Sequence, residues 1–470
     1  MTNDECRMTD ENHSSEIRHA DGSAGRIELA QEVVHLAAQA GASASEVLIR
    51  EGTEFSTTVR LGEVEKLHQA NFRKLGIRVL YGCRAAVLAT SDFSLNSIRQ
   101  MVSDALEMVR AAGEDPSAGI PEGGSCCQDF PSPQLCYPCA SQMTAEAKMD
   151  IARRCEEAAL HYDPRVNNSE GSCFDDSLID TTYGSSLGLF RSYSKTKCTL
   201  SVTPLAEQDG LKQRDHWLST HLDLSHLQPP AELGAEAARR TLRRLGARKV
   251  STCEAPVVFD PLASASIMKH LSEAVSGTAL LRKASFLAGK LGTRIASPLV
   301  NILDDALRPG GLGSRPFDAE GVPSRRTTVV SGGVLESYLL DSYSARKLGM
   351  QNTGNSDREP QGSLSAGPSN FYLEPGNLTP EQIVRSVKRG LYVTELIGFG
   401  VNIVSGNFSQ GAAGLWIENG EIAFPVEEIT IAGDLKDMLT RIEAVGNDLL
   451  ALGEVFAPTV LIDRMVISGN

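Results

Sequence analysis

A chain of 470 residues exceeds the size at which one hydrophobic core usually stops growing, so two or three domains are expected. Its 45 basic against 59 acidic residues leave a formal charge of −14, which argues against a general electrostatic grip on the phosphates of nucleic acid. The start, MTNDECRMTDENHSSEIRHADGSAG, lacks the apolar stretch of a secretion signal, and no later run approaches the length of a membrane span; a soluble cytoplasmic protein with a disordered tail over residues 1–25 is expected.

Apolar residues at three- and four-residue spacing predict a helix over 27–40, stopped by Gly41. A hairpin follows, with strands over 45–50 and 55–60 and a turn at Glu51 and Gly52. Two more strands flank a turn at Tyr81 and Gly82, and LNSIRQMVSDALEMVRAAG reads as a second helix. Helix, antiparallel strands and helix make an α+β layer, with the helices packed on one face of the sheet.

Residues 114–141, rich in Pro, Gly, Ser and Cys, read as a loop, and MTAEAKMDIARRCEEAALHYD as a helix. Short strands are expected over 172–202 with a turn at Gly184, Ser185 and Ser186, then a helix over 231–245. A strand over 255–259 leads into a helix opening at Pro261, since proline is tolerated in a first turn. Beyond residue 294 short apolar runs alternate with Gly, Asn, Asp and Pro, and Asn419–Gly420 in ENGEI is a strong hairpin signal. Helices over 380–388 and 435–445 are the only interruptions expected. The division predicted is an N-terminal α+β domain over 26–225 and a strand-rich C-terminal domain with a few helices over 226–470.

All ten cysteines lie in the first 253 residues, and with no secretion signal reduced thiols are the default. In CCQDFPSPQLCYPC the gap between Cys136 and Cys139 suits zinc, but Cys126 and Cys127 are adjacent, a poor geometry for closing one tetrahedron. A Pro-rich loop with incidental thiols is the expected reading of this segment.

Neither a phosphate-cradling Gly-rich loop with Lys and Ser or Thr nor a Gly-x-Ser-x-Gly nucleophile elbow occurs. Of nine histidines only His270 follows His226, so the second domain has one imidazole to offer, whereas a catalytic zinc normally takes three protein ligands. His216, His221 and His226 sit in RDHWLSTHLDLSHLQPP, where local polar pairing is expected. Carboxylates occur in pairs at Asp304 and Asp305, Asp318 and Glu320, and Glu427 and Glu428; such pairs could bind a divalent ion or share a proton, although caps and solvated turns are the commoner outcome. The candidate cleft or peptide-binding residues are Asp318, Glu320, Arg325, Asn355 and Ser409, from FDAEGVPSRRT, NTGN and GNFSQGAAG.

The segments KASFLAGKLG, PFDAEGVPSRRT, GVLESYLLDSYSARKLG, NTGN, PSNFYLEPG, GLYVTELIG, VSGNFSQGAAGLWIENGEIAFPVEEITIAG and AVGNDL carry a resemblance that extends from about Ile27 to Gly469. The chain resembles the TldD/PmbA family, once called modulators of DNA gyrase, and specifically its PmbA branch, also called TldE. The resemblance implies a heterodimeric zinc metallopeptidase that degrades or trims unfolded peptides, including peptide antibiotic precursors and antitoxins. The catalytic TldD-type members carry HEAVGH and a C-terminal cysteine. Against that motif SEAVSG sets Ser272 at the first histidine, Glu273 at the catalytic glutamate and Gly277 at the second histidine. The segment ALGEVFAPTV after Gly446 to Leu449 has no cysteine.

Serine and glycine cannot replace two imidazoles, and Glu273 alone has no metal-bound water to activate. His270, two residues before the first ligand position, should point to another helix face. The implied function is a non-catalytic subunit that binds no metal itself, its zinc lying in a TldD-type partner, with extended peptides as substrates. Neither nucleic acid nor membrane is an expected partner, and a homodimer is among the states open to the isolated chain. The alternatives are an independently active metallopeptidase or a hydrolase using Asp304, Asp305, Asp318 and Glu320, and a regulatory binding protein without enzyme activity.

Overall fold

The computed structural model describes residues 14–121 and 130–469, with side chains described from residue 22 onward. In the first half, chain order is α1 (Ser14–Gln39), β1 (Ala44–Arg60), β2 (Glu63–Tyr81), β3 (Arg84–Thr90), α2 (Leu95–Ala111), α3 (Ala145–Leu160), β4 (Val166–Ser185), β5 (Phe190–Gln208), β6 (Leu211–Arg214), β7 (Trp217–His221) and α4 (Pro230–Leu242). The strands form one antiparallel sheet in the order β3-β2-β1-β4-β5-β6, with β7 also on β5.

The period-two alternation of a strand separates the sheet's faces. On β1, Val47, Ile49, Phe55 and Val59 are buried under helices: α1 and α2 cover the first pair, α3 and α4 the second. The alternate residues Glu46 and Arg50, with Tyr183 on β4 and Tyr193 on β5, occupy the other face, against which the C-terminal half packs. Tyr183 and Tyr193 meet Phe317 there, at ring-centroid distances of 6.3 and 5.2 Å.

Several expectations are corrected. The first hairpin does not turn at Glu51 and Gly52; β1 runs through both to Arg60 and turns at Leu61 and Gly62, where φ is 51° and 82°. Gly52 serves strand packing instead, since a Cβ there would overlap the carbonyl oxygen of Leu178 on β4. The strands over 172–202 are likewise longer than expected. The first helix begins at Ser14 rather than Ile27, while residues 1–13 of the expected tail lie outside the described residues.

Helix α4 falls beyond the division expected at 225/226, yet its Leu233, Ala237 and Ala238 share a buried cluster with Ala152, Cys155 and Ala159 of α3. We therefore propose that the boundary lies between α4 and Cys253.

The second half contains β8 (Cys253–Phe259), α5 (Pro261–Ala274), α6 (Gly277–Leu281), β9 (Ile302–Asp305), β10 (Arg326–Ser331), β11 (Val334–Leu335), α7 (Ser342–Leu348), β12 (Ser356–Asp357), β13 (Ser365–Ala366) and β14 (Phe371–Leu373). It continues with α8 (Pro380–Ser386), β15 (Arg389–Ile397), β16 (Asn407–Glu418), β17 (Glu421–Asp434), α9 (Leu435–Thr440), β18 (Ile442–Val445), β19 (Val455–Phe456) and β20 (Val460–Ser468). One sheet runs β17-β16-β15-β8-β20-β18, and because β17 also pairs with β20 the ring closes. A second runs β11-β10-β9-β14-β19. Buried residues of both sheets pack with Ile267, Met268 and Leu271 of α5.

The Asn419–Gly420 hairpin is present, with φ of 54° and 79° at the two turn residues. The helix expected over 435–445 stops at Thr440, because Ile442–Val445 pairs with β20 as a strand. Helix α7 is an additional interruption that the sequence reading did not include.

The architecture is α+β: an N-terminal curled antiparallel sheet carrying helices on one face, then a strand-rich half with scattered helices. If α4 closes the N-terminal core, Leu233→Ala should cost about 2–5 kcal/mol in denaturant unfolding, as buried leucine truncations do; a loss below about 0.5 kcal/mol, the range of surface substitutions, would contradict that placement.

Candidate functional site

Asp260 caps α5, its carboxylate accepting the N–H of Ala263, with Pro261 at the first helical position. The helix ends at Ala274, inside SEAVSG. Val275 and Gly277 then exchange backbone hydrogen bonds with Leu339: Leu339 N–H donates to Val275 at 3.0 Å, and Gly277 N–H to Leu339 at 2.8 Å. Ser276 in this short pairing caps α6 by accepting the N–H of Ala279. The three motif positions therefore span a helix end, a bridge and a new helix.

Each position is committed elsewhere. The Ser272 hydroxyl is buried and donates to the Lys269 carbonyl at 2.8 Å. Glu273 is exposed and faces His270, whose Nδ1 lies 3.7 Å from its carboxylate. Burial pushes the His270 imidazole below its ordinary range, against the pull of Glu273. At Gly277 an added Cβ would stand 2.5 Å from Ser344 Cβ on α7, closer still to its Oγ, and 3.0 Å from Leu340 Cδ2. No imidazole fits there. These residues do not fit a zinc site, and among the described residues no group of three or more His, Cys, Asp or Glu side chains is placed to hold a metal ion.

Ser272, Glu273, Ser276, Thr278, Arg282 and Pro368 border a cavity of about 260 Å³. Pro368 also borders a second cavity, of about 320 Å³, between the helix-free face of the N-terminal sheet and the C-terminal half. Gly453 and Glu454, in the segment that lacks the cysteine, line this second cavity.

The candidate residues drawn from the sequence divide. Asp318, Glu320 and Asn355 are each 2% exposed, and their polar atoms tie loops together. Asp318 accepts the N–H groups of Glu320, Val322 and Ser356, and Asn355 donates to Asp304 at 2.7 Å. Arg325 donates to the carbonyls of Asn352 and Thr353 on the same connection. Ser409 lies apart, exposed on β16 opposite Ala432 of β17. Asp318, Arg325 and Asn355 thus frame the loop over 352–358, Glu320 binds Ser342 at the start of α7, and we propose that the four shape the cleft from behind.

Glu320 is the most perturbed of them. Burial first, then the nearby Glu46 and Asp318, push its carboxyl up to about 8; Ser342 N–H donates to Oε2 at 2.8 Å, and Oε1 has no hydrogen-bond partner among the described residues. Glu46 is itself buried, paired with Arg78 at 2.6 Å and accepting from the Tyr183 hydroxyl at 2.7 Å. Burial also raises Asp318 to about 6, opposed by Arg315.

The histidine segment pairs locally, with His216 3.8 Å from Asp215 and His226 3.6 Å from Asp223. Cys126 and Cys127 lie outside the described residues; Cys136 is half-buried and Cys139 exposed. Among the described residues no helix is long and apolar enough to cross a membrane.

Sequence reasoning missed Ser344, whose importance depends on a long-range contact. It also missed Lys195 and Lys197, although alternation in SYSKTKC on a strand would have set both on one face.

Two outcomes follow. Gly277→Ala should lose about 1–3 kcal/mol by overpacking, and Ser344→Gly in the same chain should return part of that loss in a denaturant-unfolding double-mutant cycle; strictly additive losses would contradict direct contact. A carboxyl raised above its ordinary 4.5 contributes stability at low pH that is lost as pH rises through about 8. Glu320→Gln keeps an acceptor for Ser342 and cannot titrate, so its melting temperature should fall less than the parent's between pH 6 and 9. Identical slopes would refute a neutral Glu320.

Three family models match in register: PmbA/TldA metallopeptidase domain 1 at residues 45–109, the central domain at 140–245 and the C-terminal domain at 252–469. The metalloprotease PmbA of Escherichia coli is 37% identical over 91% of this chain and 92% of its own length. A PmbA homologue from Haemophilus influenzae is 35% identical over 93% and 94%. Among solved structures, a Thermotoga maritima protein described as a candidate modulator of a DNA gyrase superposes with a TM-score of 0.86 at 28% identity, covering 94% of this chain and 99% of that one. TldE from Thermococcus kodakarensis shares the fold, with a TM-score of 0.86 at 20% identity over 94% of this chain and 100% of its own. The chain belongs to the PmbA/TldD metallopeptidase family, on its PmbA/TldE branch.

Proposed function

We propose that this chain is the non-catalytic subunit of a TldD/TldE-type zinc metallopeptidase, completing a cleft in which unfolded peptides are processed by a TldD-type partner. The observation that carries this reading is the packing at Gly277, where Ser344 occupies the space a second histidine would need. Ser272, bound back onto its own helix, supports it further. Without imidazole donors at either position, Glu273 has no metal-bound water to act on.

The chain would contribute shape, strand edges and polar lining. Strand addition reads a peptide through its backbone, which suits substrates of mixed sequence. A cytoplasmic setting accompanies this reading, in keeping with free rather than bridged described cysteines. Zinc would reside in the partner, and the net charge of −14 makes nucleic acid a poor direct ligand.

Mixing the purified chain with its TldD-type partner should give a complex of summed mass by light scattering, and peptide cleavage well above that of the partner alone. Failure to associate would overturn the reading, as would full cleavage by the partner alone or metal-dependent hydrolysis by this chain alone.

A further inference from the structure

The cavity of about 320 Å³ between the two halves differs in charge from the protein around it. Four cations border it, Arg50, Lys195, Lys197 and Arg315, against two acids, Asp357 and Glu454. In a chain of formal charge −14 a local excess of positive charge is a built feature.

The strand register explains it. Lys195 and Lys197 are two apart on β5 and sit opposite Ile179 and Ser177 of β4; Arg50 on β1 sits opposite Thr181 of β4. All of them therefore point to the helix-free face. Arg315 reaches the same space from the C-terminal half.

The charges are incompletely used. Arg50 is paired with Glu359 at 2.5 Å. Among the described residues Lys195, Lys197 and Arg315 make no ion pair within 4 Å, and the buried Nε and Nη2 of Arg315 have no hydrogen-bond partner there. Lys195 donates to the carbonyls of Leu312 and Ser314, which fixes its ammonium without pairing it to a carboxylate. Burial, reinforced by Arg315 and Lys197 and opposed by Glu454, pulls this ammonium down to about 8. Burial also raises the Glu454 carboxyl, opposed by the neighbouring Lys195 and Arg315. A guanidinium beside a fixed ammonium suits a carboxylate.

We propose that this cavity binds a carboxylate of the peptide, either its C-terminal group or an acidic side chain, so that the non-catalytic chain anchors substrate through charge while the backbone is read elsewhere. The inference rests on the peptide-processing reading. Through Pro368 the cavity adjoins the one beside Ser272 and Glu273, so an anchored peptide would have a continuation along the degenerate motif.

The test is fluorescence anisotropy of the full chain with a labelled, unstructured neutral peptide made as the C-terminal acid and the C-terminal amide, with an amidated version carrying one internal Glu, and with inorganic phosphate as competitor. The acid, or the Glu-containing amide, should bind at least tenfold more tightly than the neutral amide, and which of the two does so identifies the carboxylate. Arg315→Met and the exposed Lys197→Ala should each erase most of the difference; Lys197→Ala guards against loss of fold. Equal binding of all peptides, or a difference that survives both substitutions, would overturn the carboxylate site while leaving peptide binding intact. Phosphate binding without peptide binding, or no binding of either, would also overturn it. Assembly with the TldD-type partner, scored separately by mass, decides the functional reading independently.

Discussion

The short helix Ser342–Leu348 is the constraint on which the candidate site depends. Its N-terminus is held by two buried carboxyls: Asp341 accepts the N–H of Ser344 at 2.7 Å, and Glu320 accepts that of Ser342 at 2.8 Å. The Asp341 N–H in turn donates to the Ser344 hydroxyl at 3.1 Å, completing a reciprocal cap. From the same helix Tyr343 and Lys347 bind Asp115 at 2.7 and 2.8 Å, and Arg346 donates to the carbonyls of Ser117 and Ile120. One helix therefore fixes Ser344 against Gly277 and ties the C-terminal half to the connection after α2. Lys347 and Tyr343, with the Ser117 N–H, hold the Asp115 carboxyl down at about 2, so this tie remains ionised across the neutral range.

The N-terminal sheet divides its labour by the same logic of alternation. Its helix-covered face is largely apolar, with ion pairs such as Lys148 with Asp176 at 2.6 Å set into it. Its other face carries Glu46, Arg50, Tyr183, Tyr193 and Lys195, residues that would be costly to bury without partners. The C-terminal half supplies some of those partners through Phe317, Glu320 and Glu359, and leaves others unmatched around the cavity. Docking the halves thus buries polar groups, some paired within the sheet, as Glu46 is with Arg78 and Tyr183, and some paired across the halves, as Arg50 is with Glu359.

The α+β class, most helices and the Asn419–Gly420 hairpin were legible because they rest on local periodicity and turn chemistry. Gly52 misled because glycine marks both turns and close strand approaches, and only the neighbouring Leu178 carbonyl distinguishes them. The strand at Ile442–Val445 was hidden by the helical pattern before it and by a partner, β20, distant in sequence. At the site, the missing imidazoles were plain from residue identity. The burial of Asp318, Glu320 and Asn355 was not, since a carboxylate at a solvated turn and one receiving three buried N–H groups read alike in a sequence.

The missing ligands amount to more than two substitutions. Writing histidine back at position 272 would disturb one hydroxyl turned onto its own helix, a local change. Writing it back at 277 would require Ser344 to leave, and Ser344 is held by Asp341, which opens the helix that Glu320 and the Asp115 connection also hold. A histidine at 277 and the present position of Ser344 are therefore mutually exclusive. In this chain the motif is committed to packing, with Ser272 turned onto its own helix and Gly277 pressed against Ser344.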